Sequence, residues 1–179
     1  MPSQKDINAD PLLSKTPPHD IDAEQSILSA IFIDNESLSD IIEILSPEDF
    51  YKGAHQKIYS AVVELAMADE PADLVTVANR LNEKDQLKTI GGASYLASIS
   101  DTAPVAVNAI HYARIIKGKA ALRHLITAAS SIIDNCLKDK GDFEDILDYA
   151  EQSIFSIAEK KTKGAFQPLG ELINLNIDK

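Results

Sequence analysis

Apolar residues recur at steps of three and four along almost the whole chain, and this spacing constrains the fold more than any other feature of the sequence. Such a period places apolar side chains on one face of an α-helix, whereas a half-buried strand shows strict alternation. No segment alternates convincingly, and no internal repeat is visible. Because 45% of the residues are apolar, a sizeable core can be buried. The sequence therefore predicts an all-α fold.

Helix-start residues organise the first half of the chain. Asp20, Ser46 and Asp73 each precede a segment with helical periodicity. Side chains of these types accept hydrogen bonds from the free N–H groups of a first turn. Pro47 strengthens the second start, because proline suits the first helical position. We predict that residues 19–103 form a compact helical subdomain.

Two longer helical segments follow and predict an antiparallel helical hairpin over residues 104–161. The first covers about residues 105–137, and Gly141 and Asp142 separate it from the second. A bare hairpin buries one face of each helix, so its apolar seam needs a partner, either the first subdomain or another copy of the chain. The apolar positions are Ile115, Leu122, Leu125, Ala129, Ile132 and Cys136, then Phe143, Leu147, Ala150, Ile154 and Ile157.

The two ends of the chain differ from the middle in composition. Residues 1–18 are polar and hold four prolines, which predicts a flexible N-terminal arm. Residues 162–179 contain Gly164, Pro168 and Gly170 and are interpreted as a linker. The apolar residues after Pro168 could begin a short amphipathic helix without a core to pack on. We therefore expect the chain to be cut within a linker helix.

Charge and cysteine content limit the classes of function. The net charge of −11 argues against a protein whose main task is to grip phosphate backbones. Residues 20–49 hold nine acidic residues and no Lys or Arg, whereas residues 102–133 hold four basic residues and no acids. No signal peptide or membrane-spanning run is present, and Cys136 is the single cysteine. These features predict a cytoplasmic protein without an intrachain disulfide.

No constellation of residues predicts catalysis, metal binding or cofactor binding. No phosphate-binding loop GxxxxGK[ST] and no HExxH pair occurs in the sequence. His55, His111 and His124 are interpreted as helix-surface or subunit-contact residues. Cys136 lies on the apolar stripe and is predicted to be a small buried side chain rather than a nucleophile.

A basic stripe from Arg114 to Arg123 is the one feature that favours contact with nucleic acid. It includes Lys117 and Lys119, which could contact phosphates. Tyr112 is almost the only aromatic residue near it, whereas platforms for single strands need several aromatic side chains. A contact with a protein partner is therefore the favoured interpretation, and a DNA-binding module stays an alternative.

Several short motifs occur together in a fixed order from Pro17 to about Lys161. In this order and spacing they resemble the N-terminal domain of bacterial replicative DNA helicases of the DnaB type. They are Pro17-Pro18-His19, Ala23-Glu24-Gln25-Ser26, residues 45–51, Ala54-His55-Gln56, residues 73–77, Ile90-Gly91-Gly92 with Tyr95-Leu96, residues 112–116, Leu122-Arg123 with Leu125-Ile126, and residues 150–159.

The resemblance implies a fold and a function. In that family a helical N-terminal domain precedes a RecA-like motor, which carries the phosphate-binding loop and uses ATP and Mg²⁺. The N-terminal domains pair through helical hairpins, form a collar of three dimers and recruit primase through its C-terminal domain. A helicase loader is a further implied partner, and contact with DNA would be weak or indirect. A stand-alone adaptor or loader-like protein on the same domain is the other alternative.

The resemblance also implies three groups of functional residues. Self-association is expected at Leu122, Leu125, Ala129, Ile132, Ile154 and Ile157. Primase binding is expected around Tyr95 and Ile126. Docking of the linker on a neighbouring motor domain is expected at Phe166, Leu169, Leu172 and Ile173.

Overall fold

A computed structural model describes residues 16–101, 109–138 and 142–162 of the chain. The described residues contain seven α-helices and two short 3-10 turns and no strand, so the all-α prediction is confirmed. None of the described helices is both long and apolar enough to cross a bilayer. The α-helices are α1 (Ile21–Ile33), α2 (Leu38–Ile44), α3 (Gly53–Met67), α4 (Leu74–Glu83), α5 (Gly92–Ser100), α6 (Ala109–Lys138) and α7 (Phe143–Thr162), and the 3-10 turns are Pro47–Asp49 and Lys88–Ile90.

Two of the predicted helix starts are built as expected. The Asp20 carboxylate accepts a hydrogen bond of 3.0 Å from the Ala23 N–H at the start of α1. Asp73 accepts from the N–H groups of Val75 and Thr76, at 2.8 and 2.9 Å, at the start of α4. Both carboxylates therefore satisfy backbone donors that have no partner within the helix.

The third predicted start, at Ser46, is only partly right. The Asp49 carboxylate accepts from the Ser46 N–H at 2.8 Å, but the segment makes a single 3-10 turn. The chain is extended again at Phe50, whose side chain is fully buried. The helix that follows, α3, therefore begins separately at Gly53.

The core surrounds α1 and includes the first part of α6. Ile27, Leu28 and Ile31 of α1 are fully buried, and α1 packs against α3, α5 and α6. The contact face of α6 contains mainly small side chains, which allow two helices to approach closely. That face consists of Ala109, Ala113, Ile116 and Ala120. The domain boundary between residues 103 and 104 stays a prediction. Residues on both sides of it, in α1–α5 and in the first part of α6, belong to the same hydrophobic core.

Removal of the Asp73 cap gives a testable effect on stability. We expect Asp73→Ala to lower the free energy of unfolding by about 1 kcal/mol, because two N–H groups lose their acceptor. Asp73→Asn should cost much less, since asparagine caps nearly as well. Urea unfolding of the three proteins measures both differences, and equal stability of the Ala and Asn variants would contradict the expected role.

The pH dependence of this cap has a defined sign. Hydrogen bonding from the Thr76 N–H, opposed by partial burial and aided by the Val75 N–H, lowers the pKa of the Asp73 carboxyl. A depressed pKa means that the contribution of the carboxylate is complete above the pKa of the unfolded chain and is lost as pH falls through the folded value. The native chain should therefore lose stability relative to Asp73→Asn as the pH falls through the folded pKa of Asp73. Near neutral pH the difference in free energy of unfolding between the two proteins should stay constant.

Candidate functional site

Most of the exposed large apolar side chains lie on the distal part of the α6–α7 hairpin, which is α7 and the part of α6 beyond Ala120. Among the described residues, ten of the fourteen exposed large apolar side chains lie on these two helices. We call this set the outer hairpin surface. It consists of Leu122, Leu125, Ile126, Ile133, Leu137, Phe143, Leu147, Tyr149, Ile154 and Phe155.

The helix α7 carries two neighbouring apolar rows. On α7 the half-buried row contains Ile146, Ala150 and Ile157, and the exposed row contains Leu147 and Ile154. Because α7 packs mainly against α6, the half-buried row is the one that faces the partner helix within the hairpin. The exposed row remains uncovered in the single chain.

The six residues predicted for self-association differ in their exposure. Leu122, Leu125 and Ile154 are exposed and belong to the outer hairpin surface. Ala129 is also exposed, whereas Ile132 and Ile157 are half-buried. The sequence predicted one seam, because the period of three and four does not separate two adjacent rows on the same helix.

The prediction for Cys136 is wrong for the single chain. Its side chain is exposed near the end of α6 rather than buried. The physical reason is that the core contacts only the first part of α6, so Leu122, Leu125 and Cys136 beyond Ala120 are exposed in the single chain.

His55 was predicted to lie at a surface, and this prediction is also wrong. The side chain is fully buried in α3, and its Nδ1 lies 2.7 Å from a carboxylate oxygen of Glu24. Its Nε2 lies 2.8 Å from the hydroxyl of Tyr95. Burial is possible here because both ring nitrogens have polar partners.

Glu24 is the centre of this buried polar network. It is only 1% exposed, and its carboxylate accepts from the N–H groups of Tyr51, at 2.6 Å, and Lys52, at 3.3 Å. A carboxylate only accepts, so the contact with His55 requires the proton on Nδ1. The Tyr95 hydroxyl lies 2.8 Å from Nε2, and its oxygen accepts from the Lys52 ammonium at 2.6 Å.

The network determines how Tyr95 is presented. The Lys52 ammonium also lies 4.4 Å from the centre of the Tyr95 ring, within the range of a cation–π contact. Tyr95 is half-buried, and the side chains of His55 and Lys52 hold its hydroxyl. Ile126 stands on the exposed part of α6. The Tyr95 hydroxyl contacts Lys52 and His55 of the subdomain, whereas the Ile126 carbonyl accepts from the Ser130 hydroxyl within α6.

Two basic side chains of the stripe, Lys117 and Arg123, contact other residues of the same chain. The Lys117 ammonium lies 2.7 Å from the buried Asp49 carboxylate. The Arg123 guanidinium donates to the backbone carbonyls of Pro18 and Asp49 and lies 5.8 Å from the centre of the Tyr51 ring. These contacts fasten α6 to the subdomain, so Lys117 and Arg123 are engaged within the chain and leave less charge for phosphates.

Asp49 also influences a buried tyrosine. The Tyr59 ring packs 4.8 Å from that of Phe50, and its hydroxyl donates to the Leu45 carbonyl at 3.3 Å. Burial, with a smaller contribution from the charge of Asp49, raises the pKa of the Tyr59 hydroxyl above its usual range. The hydroxyl therefore stays protonated near neutral pH and can donate to the Leu45 carbonyl.

Sequence reasoning missed Glu24 and Asp49 as organising residues. A signal for Glu24 was present, because this acid shares the helical spacing of Ile27, Leu28 and Ile31. No cluster of three or more potential metal ligands occurs in the described part of the chain. The four residues predicted to dock the linker, from Phe166 to Ile173, lie outside the described residues.

Comparisons with known proteins agree with the arrangement of these helices. Residues 16–118 match the family described as DnaB-like helicase N terminal domain. A crystal structure of the N-terminal domain of DnaB helicase from Mycobacterium tuberculosis superposes with a TM-score of 0.75 at 38% identity, covering 79% of this chain and 99% of that one.

Two curated relatives are longer than this chain. The replicative DNA helicase DnaB of Geobacillus stearothermophilus is 42% identical over 159 residues, which are 89% of this chain and 35% of the relative. The replicative DNA helicase DnaC of Bacillus subtilis is 40% identical over 164 residues, 92% of this chain and 36% of that protein. The chain thus spans about a third of the length of each.

Proposed function

Because this chain belongs to the DnaB-like helicase N-terminal domain family, we propose that it acts as the non-catalytic collar domain of a hexameric replicative DNA helicase. In this role it joins subunits through the outer hairpin surface other than Ile126, and it recruits primase at the replication fork through Tyr95 and Ile126. ATP and Mg²⁺ would be used by a motor domain and not by these residues. The proposed site of action is the cytoplasm, where the chromosome is copied.

The outer hairpin surface is the observation that supports the assembly role. A monomeric protein rarely exposes so many large apolar side chains on two adjacent helices. A second copy of the same hairpin offers a matching surface, because a two-fold axis brings the same patch of both subunits together. Pairing of hairpins then gives dimers, and three dimers give the collar of a hexamer.

Two features support the primase role. Tyr95 is held by His55 and Lys52, so its ring needs little ordering when a partner binds. Ile126 is exposed one turn after Arg123, which anchors α6 to the subdomain. A rigid aromatic side chain and an exposed aliphatic one suit a partner with an apolar surface.

A calorimetric titration tests the primase role. We expect the chain to bind the C-terminal domain of the primase from the same organism saturably, and Ile126→Ala to weaken the binding about tenfold or more. Tyr95→Phe keeps the ring and removes only the hydroxyl, so it should weaken binding less than Tyr95→Ala.

Val75→Ala provides the control for this titration. Val75 is exposed on α4, away from Tyr95 in the sequence, and its substitution should leave the affinity unchanged. Absence of binding by the folded chain, in both dilute and self-associated samples, would contradict the primase role. The assembly role would then depend only on measurements of self-association.

A further inference from the structure

A second apolar feature lies on the subdomain, separate from the outer hairpin surface. An open cleft of about 540 Å³ is formed between α2 and the end of α3, and none of its lining residues belongs to α6 or α7. Leu38, Ile42 and Ala66 provide apolar walls, and Met67 stands at the edge with 83% of its surface exposed. Methionine side chains are flexible and polarisable, and they adapt to varied apolar partners.

The walls of this cleft are fixed by hydrogen bonds. The Asn35 amide donates to the Ile31 carbonyl at 2.7 Å, and its oxygen accepts from the Ala72 N–H at 2.8 Å. On the opposite side the Glu70 N–H donates to the Leu65 carbonyl at 2.9 Å and closes the end of α3. The cleft is therefore formed before any partner arrives.

The two charged residues that line the cleft are both acidic. Asp69 and Glu70 line it, and the C-terminal ends of α1 and α3, which carry the negative end of each helix dipole, lie beside it. Neither helix has a basic residue in its last turn. Arg80 approaches Glu70 at 3.5 Å but is shared with Glu64 and Glu83, so it neutralises little of this charge.

We propose that this cleft binds a basic amphipathic segment of a partner protein. An apolar side chain of the segment enters between α2 and α3, where Met67 closes over it. Its Lys or Arg residues meet Asp69, Glu70 and the carbonyl ends of α1 and α3. Nucleic acid and anionic lipid are both repelled by the same charges, which leaves a cationic peptide as the occupant with complementary chemistry.

The methionine content of the chain allows a direct test. Met67 is one of two methionines, and the other, Met1, is at the chain terminus. Methyl-¹³C labelling therefore gives two signals in NMR spectra, one at the cleft and one internal control. The probe is a peptide of about twelve residues with leucine and lysine in helical spacing. We expect it to shift the Met67 signal saturably and leave Met1 unchanged.

Charge specificity is tested with a variant of the cleft and a control variant outside it. Asp69 and Asp85 both have positive φ, 58° and 55°, and asparagine tolerates this backbone conformation. Asp69→Asn with Glu70→Gln should weaken binding about fivefold or more, whereas Asp85→Asn, outside the cleft lining, should have less than about a twofold effect. Higher salt should also weaken binding.

Three results would overturn this proposal. The first is an unchanged Met67 signal at peptide concentrations up to about 1 mM, a range that detects even weak binding. The second is an equal response to a peptide in which glutamate replaces each lysine. The third is a Met67 shift that depends on dilution or salt in the absence of peptide, since a second copy or another segment of this chain would then occupy the cleft.

Discussion

Glu24→Ala is expected to lower the free energy of unfolding by about 3–5 kcal/mol, because it removes a buried acceptor and leaves its donors unpaired. Those donors are the N–H groups of Tyr51 and Lys52 and the Nδ1 of His55. Urea denaturation followed by circular dichroism measures the change. A loss of this size approaches the whole stability of a small domain, so we expect a large fraction of the variant to be unfolded.

Two further variants keep this prediction testable. Glu24→Gln retains the size and one acceptor oxygen, so it should be destabilised less and remain folded. Glu43→Ala removes an exposed carboxylate from α2 and should change the free energy by less than about 0.5 kcal/mol. If Glu24→Ala were as stable as Glu43→Ala, Glu24 would not organise the subdomain as described.

The second large effect concerns self-association. Ile154 is 55% exposed on the outer hairpin surface, so Ile154→Glu should leave the folded subunit intact. At a paired interface the new charge appears twice near the two-fold axis and must be desolvated, which should weaken association about a hundredfold. Leu125→Glu tests α6 in the same way, and sedimentation equilibrium gives the dissociation constants.

Val75→Glu is the matched control for these substitutions. Val75 is 65% exposed on α4, near the N-terminal end where a carboxylate is tolerated. This variant should associate like the native chain. If all three glutamate variants associated equally well, the outer hairpin surface would not be the interface.

The local features of the fold could be predicted from sequence because they depend on neighbouring residues. Asp20 and Asp73 cap helices through contacts with residues two or three positions away. The period of apolar residues similarly predicted helices over about residues 105–137 and from Asp142 to about residue 161. Within the described residues, α6 and α7 end within a few residues of these bounds.

The long-range polar contacts could not be predicted in this way. His55 contacts Glu24 across 31 positions and Tyr95 across 40. Lys117 reaches Asp49 across 68 positions. No local pattern distinguishes a buried histidine from an exposed one, because its environment depends on the packing of three separate helices.

The exposed state of Cys136 illustrates a different limit. Its spacing on an apolar row predicted burial, whereas its side chain is exposed. A periodic pattern shows that a face is apolar but does not show what covers it. Under the proposed function the cover is a second copy of the hairpin, which the single chain does not contain.

Concentration-dependent hydrogen exchange of the unmodified chain tests hairpin pairing most directly. In dilute samples α7 has little cover besides α6, so its amides should exchange readily. Raising the concentration from about 1 to about 300 µM should slow exchange in α7 and the distal half of α6. Association with a second copy stabilises the folded hairpin, so its helices open less often. Exchange in α3 and α4 should stay constant. Identical exchange in the hairpin at all concentrations, or slowing confined to the subdomain, would contradict the account.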